Sequence, residues 1–87
     1  MEPLPPPLLL AARAPARGVD RVYRLSLSRD LFGVLVLEIA WGRRGAAGQV
    51  KRLAFDTLSE AHAEITARLR RRASAERRIG AGYHAIS

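Results

Sequence analysis

Trp41 is the only tryptophan in the chain, and glycine and basic residues crowd behind it: Gly42, Arg43, Arg44, Gly45, Gly48, Gln49, Lys51 and Arg52. These residue types at this spacing suit one kind of chemistry. A guanidinium is a planar fork whose N–H groups match phosphate oxygens. Glycine lacks Cβ, so a phosphate or sugar can come near main-chain N–H groups. An indole offers a flat surface to a base or a ribose ring. Trp41, Gly42, Arg43, Arg44, Gln49, Lys51 and Arg52 are therefore the candidate nucleic-acid-binding residues.

A second basic cluster follows at Arg68, Arg70, Arg71, Arg72, Arg77 and Arg78, opposed only by Glu76. On a helix, residues three or four apart align, so Arg68 and Arg72 share one side while Arg70 and Arg71 share another. Arg68, Arg71 and Arg72 form a candidate secondary basic patch. Contact with a nucleic-acid backbone there would be salt-dependent and sequence-blind. The plain alternative is a solvated helix face, whose positive charge near a helix C-terminus also suits the dipole.

Little other chemistry is available. The chain has no cysteine and two histidines, His62 and His84, so thiolate and multi-histidine metal sites are excluded and neither metal nor cofactor is expected. His62 has Asp56, Glu60 and Glu64 for neighbours, but these read as turn and helix-surface residues rather than as partners of a general base. There is no phosphate-binding glycine loop leading into a helix and no nucleophile elbow. A length of 87 residues excludes separate cofactor and substrate lobes. A non-enzymatic binder is expected. Fifteen basic residues, all but Lys51 arginine, stand against eight acidic ones, a net charge of +7 that favours an anionic partner. Residues 1–42 hold five basic and four acidic groups, residues 43–87 ten and four, so the charge belongs to the second half.

The elements that must position these residues are legible from periodicity. All five prolines fall between Pro3 and Pro15, a density that favours extended polyproline conformation. Residues 1–20 are predicted to be a disordered Pro/Ala-rich tail, with residues 21–87 as the domain. Glu2 and the lack of a basic segment before Leu8–Leu10 argue against a signal peptide. No apolar run is long enough to span a bilayer, so a cytoplasmic protein without membrane contact is expected. Tyr23, Leu25 and Leu27 alternate with Arg24, Ser26 and Ser28, predicting a strand over 22–28. Asp30 and Gly33 supply a turn. A second strand is predicted over 34–41, with Leu35, Leu37, Ile39 and Trp41 on one face, and a third over 49–55, with Leu53 and Phe55 facing one way.

The period then changes. Thr57-Leu-Ser-Glu60 has the pattern of a capping box, and Leu58, Ala61, Ile65 and Leu69 form an apolar stripe. The helix should run to about Ser74 or Arg78, stopping before Gly80 and Gly82. Tyr83–Ile86 is a candidate short edge strand. The fold class is α+β: a small antiparallel sheet of three to five strands packed against one helix. On alternation alone Trp41 points toward the core, with Arg43 and Arg44 in a solvated turn.

The chain resembles the WGR domain family, which is named for its Trp-Gly-Arg turn and occurs in poly(ADP-ribose) polymerases and as small stand-alone bacterial proteins. The resemblance rests on Tyr23–Leu27, Asp30-Leu-Phe-Gly33, Trp41-Gly-Arg-Arg-Gly45, Gly48-Gln49, Phe55 with its trailing helix, and Gly82-Tyr83. Val34 stands where a second glycine is common, and Ala73–Arg78 lengthens the helix end. The resemblance implies a module that holds DNA ends or strand breaks in DNA repair, with Trp41 packed on the exposed terminal sugar or base. The motif arginine also serves contacts between domains in the polymerases, and here no such domain adjoins Arg43. The other implied reading is a protein-interaction module that docks on a separate DNA-processing enzyme.

Overall fold

A computed structural model of the chain describes residues 4–74 and 84–85. Strand β1 is Leu8–Ala14, followed by a single 3-10 turn at Pro15–Arg17 and by β2 (Val19–Arg29), β3 (Leu35–Arg43) and β4 (Gln49–Phe55). Helix α1 is Leu58–Ala73, and a two-residue strand β5 is His84–Ala85. The five strands form one antiparallel sheet in the order β4-β3-β2-β1-β5. This is the expected α+β architecture, with β5 at the edge position foreseen for the closing segment. Arg77, Arg78, Gly80, Gly82, Tyr83 and Ile86 lie outside the described residues.

The register sorts every side chain onto one of two faces. Tyr23 pairs with Trp41, Leu25 with Ile39 and Leu27 with Leu37, while Leu37 and Leu35 pair with Leu53 and Phe55. Cross-strand partners share a face. This face is the core, with Tyr23, Leu25, Leu27, Leu35, Leu37 and Ile39 buried. Helix α1 lays its stripe on it: Ala61 is fully buried, and Leu58, Ile65 and Leu69 pack against the cluster. Ala61 at the contact lets the helix backbone approach the sheet closely.

The helix begins as its sequence requires, with one difference in wiring. The Thr57 hydroxyl accepts from the Glu60 N–H at 3.2 Å. The same hydroxyl donates to the Glu60 carboxylate at 2.9 Å, so that carboxylate meets the Thr57 side chain rather than reaching back to its main chain. At the other end Ser74 is the cap residue, and its hydroxyl donates to the Arg71 carbonyl at 2.8 Å.

The expectation of a disordered tail over residues 1–20 is overturned from residue 8 onward, and residues 1–3 lie outside the described residues. Residues 8–14 form β1, paired residue by residue with β2 from Leu8↔Leu25 to Ala14↔Val19, and Leu10, Ala11 and Ala12 are buried. The proline density is real, but it stops at Pro7 and resumes only at Pro15, leaving seven proline-free residues. Pro15 opens the 3-10 turn, where a missing N–H costs nothing. Gly18 closes that turn at φ +69, with its N–H on the Pro15 carbonyl at 3.1 Å. β1 lies between two neighbouring strands and is buried at consecutive residues, so Leu8–Ala12 is a continuous apolar run without alternation.

Candidate nucleic-acid interface

Trp41 lies one cross-strand row from the end of the core face. The rows run Leu27/Leu37, Leu25/Ile39, Tyr23/Trp41 and then Arg21/Arg43. Helix α1 ends over the third of these rows: the Arg72 guanidinium sits 4.1 Å from the centre of the Tyr23 ring, and the helix stops at Ala73. Beyond that point no helix among the described residues lies above the sheet. A cavity of about 450 Å³ opens there, lined by Gly18, Asp20, Arg21, Trp41, Gly42, Arg43 and Arg72. Trp41 is half-buried, with part of the indole packed on the core and part available to the cavity. Alternation points this residue inward and the Trp-Gly-Arg turn makes it a cavity wall; its position at the helix end reconciles the two.

Three guanidinium-bearing residues line the cavity from three elements: Arg21 from β2, Arg43 from β3 and Arg72 from α1. Arg72 lies against the Tyr23 ring, and a pair of ion contacts stands beside it on the same helix. Glu64 takes the Arg68 Nε at 2.7 Å and the Arg71 guanidinium at 3.6 Å. Arg68 in turn sits beside Tyr23, the residue whose ring lies against Arg72. Burial alone would lower the Arg68 pKa, but Tyr23 and Glu64 outweigh it and hold the guanidinium above its ordinary value. Of the secondary patch, Arg68 and Arg71 are thus engaged with Glu64, and Arg72 is the one that reaches the cavity.

The glycines of the turn have a structural duty of their own. A Cβ on Gly42 would lie 2.7 Å from the Gly48 Cα, and one on Gly48 would lie 2.5 Å from the Trp41 carbonyl oxygen, with Gly48 at φ +68. The two backbones cross so tightly that only glycine fits. The close approach foreseen for a ligand is therefore made by the hairpin to itself.

The structure separates the other candidate residues. Gln49 pairs with Trp41 and Lys51 with Ile39, so both are exposed on the Trp41 face of edge strand β4. Arg44 folds back on Asp20, with its Nε 3.0 Å from the carboxylate and its N–H 2.9 Å from the Asp20 carbonyl. Arg52 lies on the opposite face, 3.3 Å from Glu38. Arg13 (3.8 Å from Asp20) and Arg24 (3.5 Å from Glu38) join the same two carboxylates. Arg21 escaped sequence reasoning, although it is in phase with Tyr23, Leu25 and Leu27 and the alternation already placed it on this face.

Among the described residues no group of three or more His, Asp or Glu could hold a metal ion, and no helix is long and apolar enough to cross a membrane. Fold and site together define a small basic interaction module: an antiparallel sheet, one covering helix, and a tryptophan-lined arginine cavity where the helix ends. The WGR domain family model matches residues 7–78, and the chain belongs to that family. WGR domains are non-catalytic modules. Neither the curated proteins nor the solved structures gave a match.

Proposed function

We propose that this chain binds nucleic acid at DNA ends or strand breaks, with Trp41 packed on a terminal sugar or base. Arg21, Arg43 and Arg72 bond the adjoining phosphates, and Gln49 and Lys51 flank the approach from β4. The observation that carries this reading is the half-buried indole in a cavity that three arginines from three elements enclose. A terminal nucleotide presents an uncovered sugar and base edge beside a phosphate, which matches an aromatic wall beside guanidinium forks. A continuous duplex buries those surfaces in the stack. Arg44 and Arg52 hold the Trp41 turn and the far sheet face through Asp20 and Glu38, and have no direct part in the contact.

The test is a titration followed by the fluorescence anisotropy of dye-labelled DNA, with blunt, 5′-phosphorylated, nicked and closed circular molecules at one salt concentration. Tighter binding to ends and nicks, lost in Trp41→Ala, supports the proposal. Equal affinity for closed circles removes end recognition and leaves charge-driven binding. No binding near physiological salt turns the reading toward a module that docks on a separate DNA-processing protein.

A further inference from the structure

The turn between β2 and β3 carries the two most exposed large apolar residues described, Leu31 at 99% and Phe32 at 90%. They are adjacent, and they are displayed by a turn wired from within. The Asp30 carboxylate accepts from the Phe32 N–H at 2.8 Å and from the Val34 N–H at 3.0 Å. The Arg29 guanidinium donates to the Gly33 carbonyl at 2.8 Å. The Gly33 N–H bonds the Asp30 carbonyl at 3.1 Å, and Gly33 adopts φ +80. A single exposed leucine needs no explanation, but two neighbouring large apolar side chains held out by a preorganised turn form an anchor without a pocket.

The same chain carries a pocket without an anchor. An apolar groove of about 350 Å³ runs between helix α1 and the segment that leads into β1, walled by Pro5, Pro6, Leu8, Leu25, Leu27 and Ile65 among others. Leu27, on the groove floor, precedes Leu31 by four residues along the same strand and turn. Anchor and groove are thus neighbours at one end of the sheet.

We infer that this end is a self-association surface, where the Leu31-Phe32 tip of one copy seats in the apolar groove of a second copy. Adjacent anchor and groove let a two-fold axis form the contact twice, which closes the assembly at a dimer. A second copy is the occupant because each chain supplies both halves of the contact, exposed apolar tip and apolar groove, and the local charge disfavours an anionic lipid surface. Around the tip and the helix start stand Arg29 against Asp30, Asp56 and Glu60, a net −2 in a chain of +7. Two chains meeting here turn their basic Trp41 ends outward, which keeps the large positive charges apart and sets only the small local −2 of each copy against the contact. On the reading of Trp41 given above, the dimer presents two DNA-end sites facing away from each other and bridges two ends.

Sedimentation velocity of the full chain across a wide concentration range tests the inference without DNA. The wild type should show a reversible monomer–dimer equilibrium, and Leu31→Ser/Phe32→Ser should weaken it at least tenfold while leaving monomer secondary structure unchanged. Thr66→Arg fills the groove mouth at an exposed helix position and should weaken the dimer independently. Mixing the tip and groove variants should restore hetero-association, because one intact anchor then meets one intact groove. A wild type that stays monomeric to millimolar concentration overturns the inference. So does a dimer indifferent to both variants, or a ladder extending beyond the dimer, which would mean head-to-tail contacts. DNA-end affinity measured below the dimerisation range reports on the Trp41 proposal alone, so the two can fail separately.

Discussion

Strand β3 is entered and left by two turns that solve one problem in opposite ways. The turn after Trp41 closes backbone on backbone, Gly42 against Gly48, and draws its aromatic residue partly under the sheet among arginines. The turn before Leu35 adds side chains to its main-chain bonds, with Asp30 and Arg29 holding the main chain while Phe32 projects into solvent. The first arrangement gathers arginines around a cavity; the second ties its one arginine to the main chain and holds out a rigid apolar tip. An aromatic beside a glycine therefore carries no fixed meaning. What decides its role is whether the neighbouring side chains fold onto the turn itself, as at Asp30 and Arg29, or stand with the aromatic around a cavity, as at Arg43.

The sharpest way to break the comparison is to place a methyl group in each turn. Gly48→Ala sets Cβ 2.5 Å from the Trp41 carbonyl at φ +68 and should cost about 2 kcal/mol or more in urea unfolding. By contrast, Leu31→Ser/Phe32→Ser removes contacts with water only and should leave monomer stability within about 0.5 kcal/mol. Equal losses at the two turns would mean that their closures are not different in kind.

Function should divide along the same line. Trp41→Ala is expected to weaken end binding by about 1–3 kcal/mol, the usual worth of aromatic stacking on a base, or roughly 5- to 150-fold. Phe32→Ala should leave end affinity of the monomer unchanged. Because Trp41 also packs on the core, Trp41→Leu is the companion variant: it keeps apolar contact but removes the flat ring. A Trp41→Leu protein that still prefers ends would deny the indole its stacking role.

Much of this division was legible in the chain, and the rest failed for physical reasons. Alternation in 22–28 and 34–41 placed the core face, and the stripe Leu58, Ala61, Ile65, Leu69 placed the helix, because each element buries one face only. β1 escaped because it is buried at consecutive residues, so its sequence has no period to read. The turn glycines were legible as glycines but not in their purpose, since crossing backbones at Gly42 and Gly48 bring together residues of two strands. Arg44 and Arg52 looked like neighbours of Trp41 because they are close in sequence. The pleat sends Arg52 to the far face, and Asp20, distant in sequence, claims Arg44. Arg72 joins the cavity through a helix–sheet contact that no local pattern encodes.

A smaller effect is expected inside the solvent-facing turn. Asp30→Ala removes the acceptor of two main-chain N–H groups, at Phe32 and Val34. Both lie in water, so each bond is worth about 0.5–1 kcal/mol at most, and the tip should loosen rather than the domain unfold. Amide exchange at Phe32 and Val34 should quicken while exchange within β3 stays slow. If β3 quickens equally, this turn helps to hold the sheet, and the contrast with the Gly42–Gly48 closure narrows.

The finest distinction lies between arginines that the pleat separates. Arg72 lines the Trp41 cavity, whereas Arg52 sits on the opposite face beside Glu38. A cation that neutralises one backbone phosphate contributes about 0.9 to the slope of log affinity against log salt. Arg72→Ala should lower that slope by about one such step for DNA ends, and Arg72→Lys should restore most of it, since the step counts charge rather than fork geometry. Arg52→Ala should leave the slope for ends where it was, because its charge faces away from the bound terminus. An equal fall in both variants would mean that DNA senses only the total charge of the domain, and the cavity beside Trp41 would lose its claim to be the place of contact.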